Sequence, residues 1–260
     1  MSVLVLSADE VERLLDLPGC MAAMEEALVG LARGDAHLPL RSIVRPPGER
    51  SFLGLMPTFR AGRRPLYALK TVAIFPDNPA QGLDPHQGTV TLYDGTNGET
   101  VAIMNATPIT AIRTAAVSGV ATRALARQDA RELAIVGAGH QAAAHVAAML
   151  EARPFERIRI ASRTYEHAAR LAADWPLATA VDTAEEAVRG ADAAVIVTEW
   201  PELAGLASAE VREAMRTPLI VDGRNLLDPA AVRALGFAYE AIGRPSPNAA
   251  TPPGPEPPHA

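Results

Sequence analysis

The rhythm of apolar positions changes near residue 130. Before that point, β-rich apolar runs recur at 41–46, 51–56, 66–75 and 88–93, with a partner at 100–104. Asp94-Gly95-Thr96-Asn97-Gly98 reads as a hairpin loop joining the last two. Ahead of them Ser7-Ala-Asp-Glu10 forms a capping box, with Ser7 as N-cap and Glu10 reaching back to its amide. Two short amphipathic helices are expected next, broken by Pro18-Gly19. Residues 1–105 thus predict a small α+β domain on an antiparallel sheet. Pro108 opens a long Ala-rich helix to about Arg127, which places the first domain at 1–127.

From Glu132 onward, short apolar runs alternate with helical stretches. Strands are expected near 132–137, 157–162, 177–181, 193–198, 218–222 and 237–242, with helices between them. That alternation is the signature of βαβ units and a parallel, doubly wound sheet. The fold class is therefore α/β: the small α+β domain, then a Rossmann-type domain over 128–244. Residues 245–260 are dense in proline with few apolar anchors, which predicts a disordered tail.

Composition narrows the partners. The 260 residues carry a net charge of −6 and a pI near 5.6, which argues against nucleic acid or an anionic membrane as main partner. No apolar run reaches bilayer-spanning length, and Met1-Ser-Val-Leu-Val-Leu-Ser7 lacks the basic region and cleavage site of a signal peptide. The single cysteine, Cys20, excludes an internal disulfide framework and fits a reducing, cytoplasmic setting. Cys20 lies in a helical Met/Ala pattern that favours packing over nucleophilic work. No Cys/His cluster has metal-ligand spacing.

The candidate chemistry begins at Glu132-Leu-Ala-Ile-Val-Gly-Ala-Gly-His-Gln-Ala142, an apolar strand running through glycines into a helix. Gly137-x-Gly139-x-x-Ala142 is a dinucleotide fingerprint in the strand-to-helix context it requires. Gly137 permits the tight turn, and Gly139 lets the backbone approach a pyrophosphate. The helix start, with His140 and Gln141, offers amides to that anion. The alternative is a turn whose glycines simply relieve close packing. At the end of the second strand, Ile160-Ala-Ser-Arg-Thr164 carries no acid for a ribose 2′-hydroxyl. Ser162, Arg163 and Thr164 suit a 2′-phosphate instead, so NADP(H) is preferred and NAD(H) stays open. Arg163 and Thr164 could equally begin a helix on a solvated face. Thr198, near the fourth strand's end, completes the candidate cofactor contacts.

Leu40-Arg-Ser-Ile-Val44, Gly54-Leu-Met-Pro57, Ala68-Leu-Lys-Thr71 and Pro108-Ile-Thr-Ala-Ile-Arg-Thr-Ala-Ala116 lead in order into the glycine turn. Together they resemble the ornithine cyclodeaminase/mu-crystallin family over about residues 1–190. The resemblance implies an N-terminal domain that supplies substrate pocket and dimer contacts, a Rossmann domain that holds NAD(P), and a homodimer. It implies that Arg41, Lys70 and Arg113 form a cationic substrate pocket, with Lys70 and Arg113 catalytic. Gln87 and Thr89 match the pocket edge, and Thr114 would meet the cofactor phosphates. The chemistry is coherent: an Arg fork binds a carboxylate bidentately while Lys adds a point charge. Lys70 also sits in an otherwise apolar strand, where an unpaired ammonium is costly.

From about Ala184 the text changes. Residues 184–201, Leu219-Ile-Val-Asp-Gly-Arg-Asn-Leu-Leu-Asp-Pro229 and Gly236-Phe-Ala-Tyr-Glu-Ala-Ile-Gly-Arg-Pro245 resemble the C-terminal domain of UDP-glucose/GDP-mannose dehydrogenases. There Arg224 matches an arginine of the Asp-Gly-Arg motif. The pattern suggests a chimera whose two parts share strand-helix topology. The cyclodeaminase family's strand-end Gly-x-Asp loop, with its catalytic aspartate, aligns here with Asn225. Asp222 and Asp228 lie near, with loop capping and helix initiation as their commoner roles. The leading expectation is an NAD(P)-dependent oxidoreductase acting on the C–N bond of a small amino or imino acid. Alternatives are an ornithine cyclodeaminase, a non-catalytic NADP(H)-binding protein, or a hybrid fold of marginal stability.

Overall fold

A computed structural model of the chain describes residues 2–139, 141–198 and 200–241. The tail at 245–260 and His140 lie outside the described residues. The chain divides into two compact units, Met1–Ala116 and Val117–Ala260. The division falls inside the connecting helix rather than after it at 127.

In the first unit, β1 (Leu4–Leu6), α1 (Ala8–Leu14), α2 (Leu17–Arg33), β2 (Ala36–His37), β3 (Ser42–Val44), β4 (Phe52–Arg60), β5 (Leu66–Ile74), β6 (His86–Asp94) and β7 (Thr100–Asn105) precede α3 (Ala106–Leu125). The capping box at Ser7 and Glu10 forms as expected. Pro18-Gly19 does not break a helix, however. Asp16 is the N-cap of a 17-residue α2, accepting from the Gly19 amide at 2.7 Å. Pro18 stands in the first turn, where its missing N–H removes no helical hydrogen bond.

The sheet runs β1-β7-β6-β5-β4-β2, with β3 also paired to β4. It is antiparallel except at β1, which joins β7 in parallel. The sequence reading missed β1 and β2, which have three and two residues, too few for an alternation to show. Register places Met56, Lys70, Val90 and Met104 in one row across β4, β5, β6 and β7. That face buries Val72, while Val5, Leu53 and Tyr67 stand on the other face and remain 66%, 38% and 52% exposed.

In the second unit, β8 (Glu132–Val136), α4 (Ala142–Ala152), β9 (Arg157–Ala161), α5 (Tyr165–Ala173), β10 (Ala178–Val181), α6 (Ala184–Val188), β11 (Ala193–Ile196), α7 (Ala209–Ala214), β12 (Leu219–Asp222), α8 (Pro229–Ala234) and β13 (Ala238–Ala241) alternate as expected. All six strands are parallel, in the order β10-β9-β8-β11-β12-β13. Every residue of β11 and β12 is buried. Helices on both faces of a parallel sheet require such continuous apolar strands. Ile135, Ile160, Ile196 and Ile220 are each fully buried, worth roughly 2 kcal/mol apiece. The strand order reverses between β8 and β11. In doubly wound sheets the ligand crevice opens there, at the carboxyl ends of the strands.

Candidate functional site

The turn after β8 begins at that reversal. Gly137 has φ +117 and donates its amide to the Ala161 carbonyl at 2.8 Å. A Cβ there would lie 3.3 Å from methyl carbons of both Val197 and Thr198, so backbone conformation and space both demand glycine. Thr198 is thereby brought against the turn, as its place near the end of β11 suggests. Gly139 is exposed, and a Cβ on it would meet nothing within 4 Å, which leaves open ground above the backbone. Ala142 is 1% exposed at the start of α4, where a larger side chain would force helix and sheet apart. Gln141 precedes it, and its side-chain Oε1 is buried without a hydrogen-bond partner among the described residues. Open backbone at Gly139, just ahead of α4, suits an anion such as a pyrophosphate, whereas the Gln141 Oε1 is an acceptor and calls for a donor.

Past β9, Ser162 is buried, Arg163 is exposed and Thr164 is the N-cap of α5. The Arg163 guanidinium carbon lies 4.6 Å from the centroid of the Trp200 ring. Thr114 belongs to the first unit, and its hydroxyl donates back to the Thr110 carbonyl at 2.6 Å.

The first unit gathers the cations. Lys70, half-buried on β5, has its ammonium pKa pushed down from 10.5 to about 8 by burial first, then by Arg113 and Arg41. Burial and like charge both disfavour the protonated amine, so both predicted pocket arginines act on Lys70 electrostatically. Arg113 also lies close enough to Cys20 to oppose the rise that burial imposes on that thiol. At 3% exposure Cys20 has the packing role expected of it. Extending the β3–β4 register by one residue sets Arg41 opposite Met56, in the row that holds Lys70.

Gln87 and Thr89 are placed differently. Thr89 pairs with Thr71, and Gln87 with Ala73, so strand alternation turns both to the face opposite Lys70. Thr89 instead meets the Thr71 hydroxyl at 3.0 Å, and the Gln87 amide donates to the Asp84 carbonyl. A separate groove of about 790 Å³, lined by Arg33, Arg60, Arg63 and Arg64 among others, shares no residue with the Lys70 set.

The acids after β12 are structural. Asp222 is fully buried and accepts from the Arg224 and Leu227 amides and the Tyr239 hydroxyl, at 2.9, 3.0 and 2.8 Å. Asp228 caps α8 through the Ala231 amide at 2.7 Å. Asn225 takes φ +55, a left-handed position that Asn tolerates. No group of three or more His, Cys, Asp or Glu could hold a metal ion among the described residues, and no described helix is long and apolar enough to cross a membrane.

Two signals went unread in the sequence. Lys70 is the only lysine of the chain, every other member of the 24 Lys and Arg being arginine. In so arginine-rich a background a lone lysine within a strand singles out its position. Trp200 also escaped notice, because its relation to Arg163 crosses a strand and has no fixed spacing.

Comparison with known proteins places these features in context. The ornithine cyclodeaminase/mu-crystallin family profile matches residues 1–214. Ketimine reductase mu-crystallin of Rattus norvegicus is 35% identical over 198 residues, covering 74% of this chain and 63% of that protein. The chain thus spans under two thirds of that relative's length. The structure of Thermococcus litoralis Δ1-pyrroline-2-carboxylate reductase in complex with NADH and L-proline superposes with a TM-score of 0.74 at 28% identity, over 85% of this chain and 68% of that one. The iminosuccinate reductase of Paracoccus denitrificans in complex with NAD+ gives 0.74 at 27% identity, over 88% and 73%.

Proposed function

The chain belongs to the ornithine cyclodeaminase/mu-crystallin family, and from that premise we propose that it is an NAD(P)-dependent reductase of a small imino acid. The observation that carries this reading is the gathering of cations on the first unit, where Arg41 stands in the strand row of Lys70 and the Arg113 and Arg41 guanidinium groups both act on the Lys70 ammonium. A buried lysine ammonium beside two guanidinium groups is stabilised by an anion, and a substrate carboxylate is the anion an imino acid brings. The named activities of the rat, Thermococcus and Paracoccus relatives point to the same substrate class.

In this reading Arg113 and Arg41 bind and orient the carboxylate. Lys70 stays mostly protonated at neutral pH with its pKa near 8, so its ammonium can give a proton to the imine nitrogen. The residues of the turn fit a dinucleotide: Gly139 leaves the backbone open, and Gly137 admits no side chain. Gly137, Gly139, Gln141 and Ala142 would hold its pyrophosphate, with Ser162, Arg163 and Thr198 toward the adenosine end. The bound nicotinamide would supply the hydride that reduces the imine carbon. Arg163 supports a preference for NADP(H) over NAD(H).

Reduction is favoured over cyclodeamination because the aspartate expected after β12 is replaced by Asn225, and Asp222 is committed to three donors. The test is oxidation of NADPH or NADH by the purified chain with Δ1-pyrroline-2-carboxylate. Turnover supports the reading. Dinucleotide binding without turnover of cyclic or acyclic imino acids would mark a non-catalytic NADP(H)-binding protein instead. A cytoplasmic homodimer is part of the proposal; the exposed Val5, Leu53 and Tyr67 on one sheet face support the dimer, and sedimentation velocity measures it. The likeness to sugar-nucleotide dehydrogenases stays a sequence-level proposal. It concerns about residues 184–245, of which the cyclodeaminase/mu-crystallin family match covers the part through residue 214, and a UDP-glucose titration that leaves Tm unchanged would argue against a sugar-nucleotide site.

A further inference from the structure

Arg163 and Trp200 come from loops that are not neighbours in the sheet. Arg163 follows β9 and Trp200 follows β11, and β8 lies between those two strands. Their contact at 4.6 Å therefore bridges the carboxyl end of β8, where the glycine turn begins. Trp200 is partly buried and packs against the apolar cluster of this unit, which includes Val136, Ile196, Leu203 and Leu206. Arg163 is exposed. One partner of the contact is thus anchored and the other is long and otherwise free to sample many rotamers.

We propose that Trp200 is a positioning residue for the adenosine end of the dinucleotide, holding the Arg163 guanidinium beside the glycine turn so that it selects a ligand bearing a 2′-phosphate. The inference rests on the dinucleotide reading above. A guanidinium over a ring face keeps the N–H groups of its edge available, and these match a phosphate bidentately. Holding it there in advance removes part of the ordering cost that an exposed arginine otherwise carries into binding. Trp200 acts through Arg163: it need not touch the ligand, and its contribution vanishes when the guanidinium is absent.

The experiment is a double-mutant cycle on the full chain, with 2′,5′-ADP and 5′-AMP as probes that differ by the 2′-phosphate alone. The intact chain should prefer 2′,5′-ADP. Trp200→Leu should lower affinity for 2′,5′-ADP about two- to five-fold, the size of an exposed cation–π contact, and leave 5′-AMP unchanged. Trp200→Phe should retain most of the preference. In an Arg163→Ala background Trp200→Leu should have no further effect. An equal loss for both probes would overturn the inference, since Trp200 would then contact the adenosine itself. So would an additive loss in the Arg163→Ala background. Should Trp200→Leu not fold, Trp200→Phe and the surface variant Arg163→Ala still decide: an intact preference after Arg163→Ala overturns the proposal. If the intact chain binds neither probe nor NADPH nor NADH, the dinucleotide reading fails first and takes this inference with it.

Discussion

The two sheets of this protein solve opposite problems. The parallel sheet of the second unit is dry: β11 and β12 are buried at every residue, and its candidate site is made of backbone, a turn that works because Gly137 and Gly139 have no side chains. The sheet of the first unit is only partly covered, with β4 and β5 mostly at intermediate exposure, and its candidate site is made of charge. Where the frame is rigid and apolar, function comes from what is left out. Where it is half-open, ionised groups can be held near one another without a full desolvation penalty. Changes in the second unit should therefore disturb fold and binding together, and changes in the first should separate them.

The sharpest test of that contrast is Gly137→Val. Positive φ and contact with Val197 and Thr198 should cost about 1–3 kcal/mol of stability. Displacement of the turn by about 1 Å should weaken NADPH binding on the order of 100-fold; melting and fluorescence titration read the two effects. A variant that keeps both Tm and affinity would break the comparison.

Lys70→Met should do the reverse in the first unit. Reductase kcat/KM should fall on the order of 100-fold while Tm at pH 7 rises. The sign follows from the depressed pKa. Between about 8 and 10.5 the unfolded chain holds the Lys70 proton and the folded chain does not, so stability gained from this group grows with pH across that window. Below pH 8 the folded chain carries a disfavoured ammonium, so the advantage of methionine should be greatest there and shrink as pH rises through the window. Melting curves at pH 7 and 9.5 measure it, and a Tm that drops equally at both would show Lys70 to be a structural ion. For the intact protein, kcat/KM should decline as pH rises past about 8 and Lys70 loses its proton.

Asp222→Ala should cost about 3 kcal/mol by removing the buried acceptor of two amides and leaving the Tyr239 hydroxyl only its longer contact to the Leu227 carbonyl among the described bonds. Chemical denaturation measures that loss. A fully stable but inactive variant would make Asp222 catalytic after all. The smallest effect is expected from Arg41→Ala. Its side chain is exposed, so KM should rise about five-fold, the scale of a solvent-screened charge, with Tm unchanged.

How well each region could be read from sequence follows the same division. The six parallel strands lay within a residue or two of their expected places, because burial on both faces forces uninterrupted apolar runs between helices. The glycine turn was equally plain, since its requirement is local. In the first unit the long strands were visible, but β1 and β2 were too short to show a pattern. Pro18 looked like a break because a proline in a first turn and one between helices read alike until Asp16 is seen to cap. Gln87 and Thr89 sit in the strand beside Lys70's, yet a period of two turned them to the other face. That is a fact of register rather than of composition.

The sequence by itself determined the order of elements, the glycine turn and the kind of charge available. These depend on periodicity, on glycine's missing Cβ and on residue identity, all of which are properties of neighbours along the chain. Tertiary structure alone decided which charges feel one another. It set Lys70 in range of Arg41 and Arg113, committed Asp222 to Tyr239, and carried Trp200 across β8 to Arg163. Those relations depend on distances between strands that the chain brings together only when it folds, and electrostatic and stacking energies fall too steeply with distance to be inferred from separation in sequence.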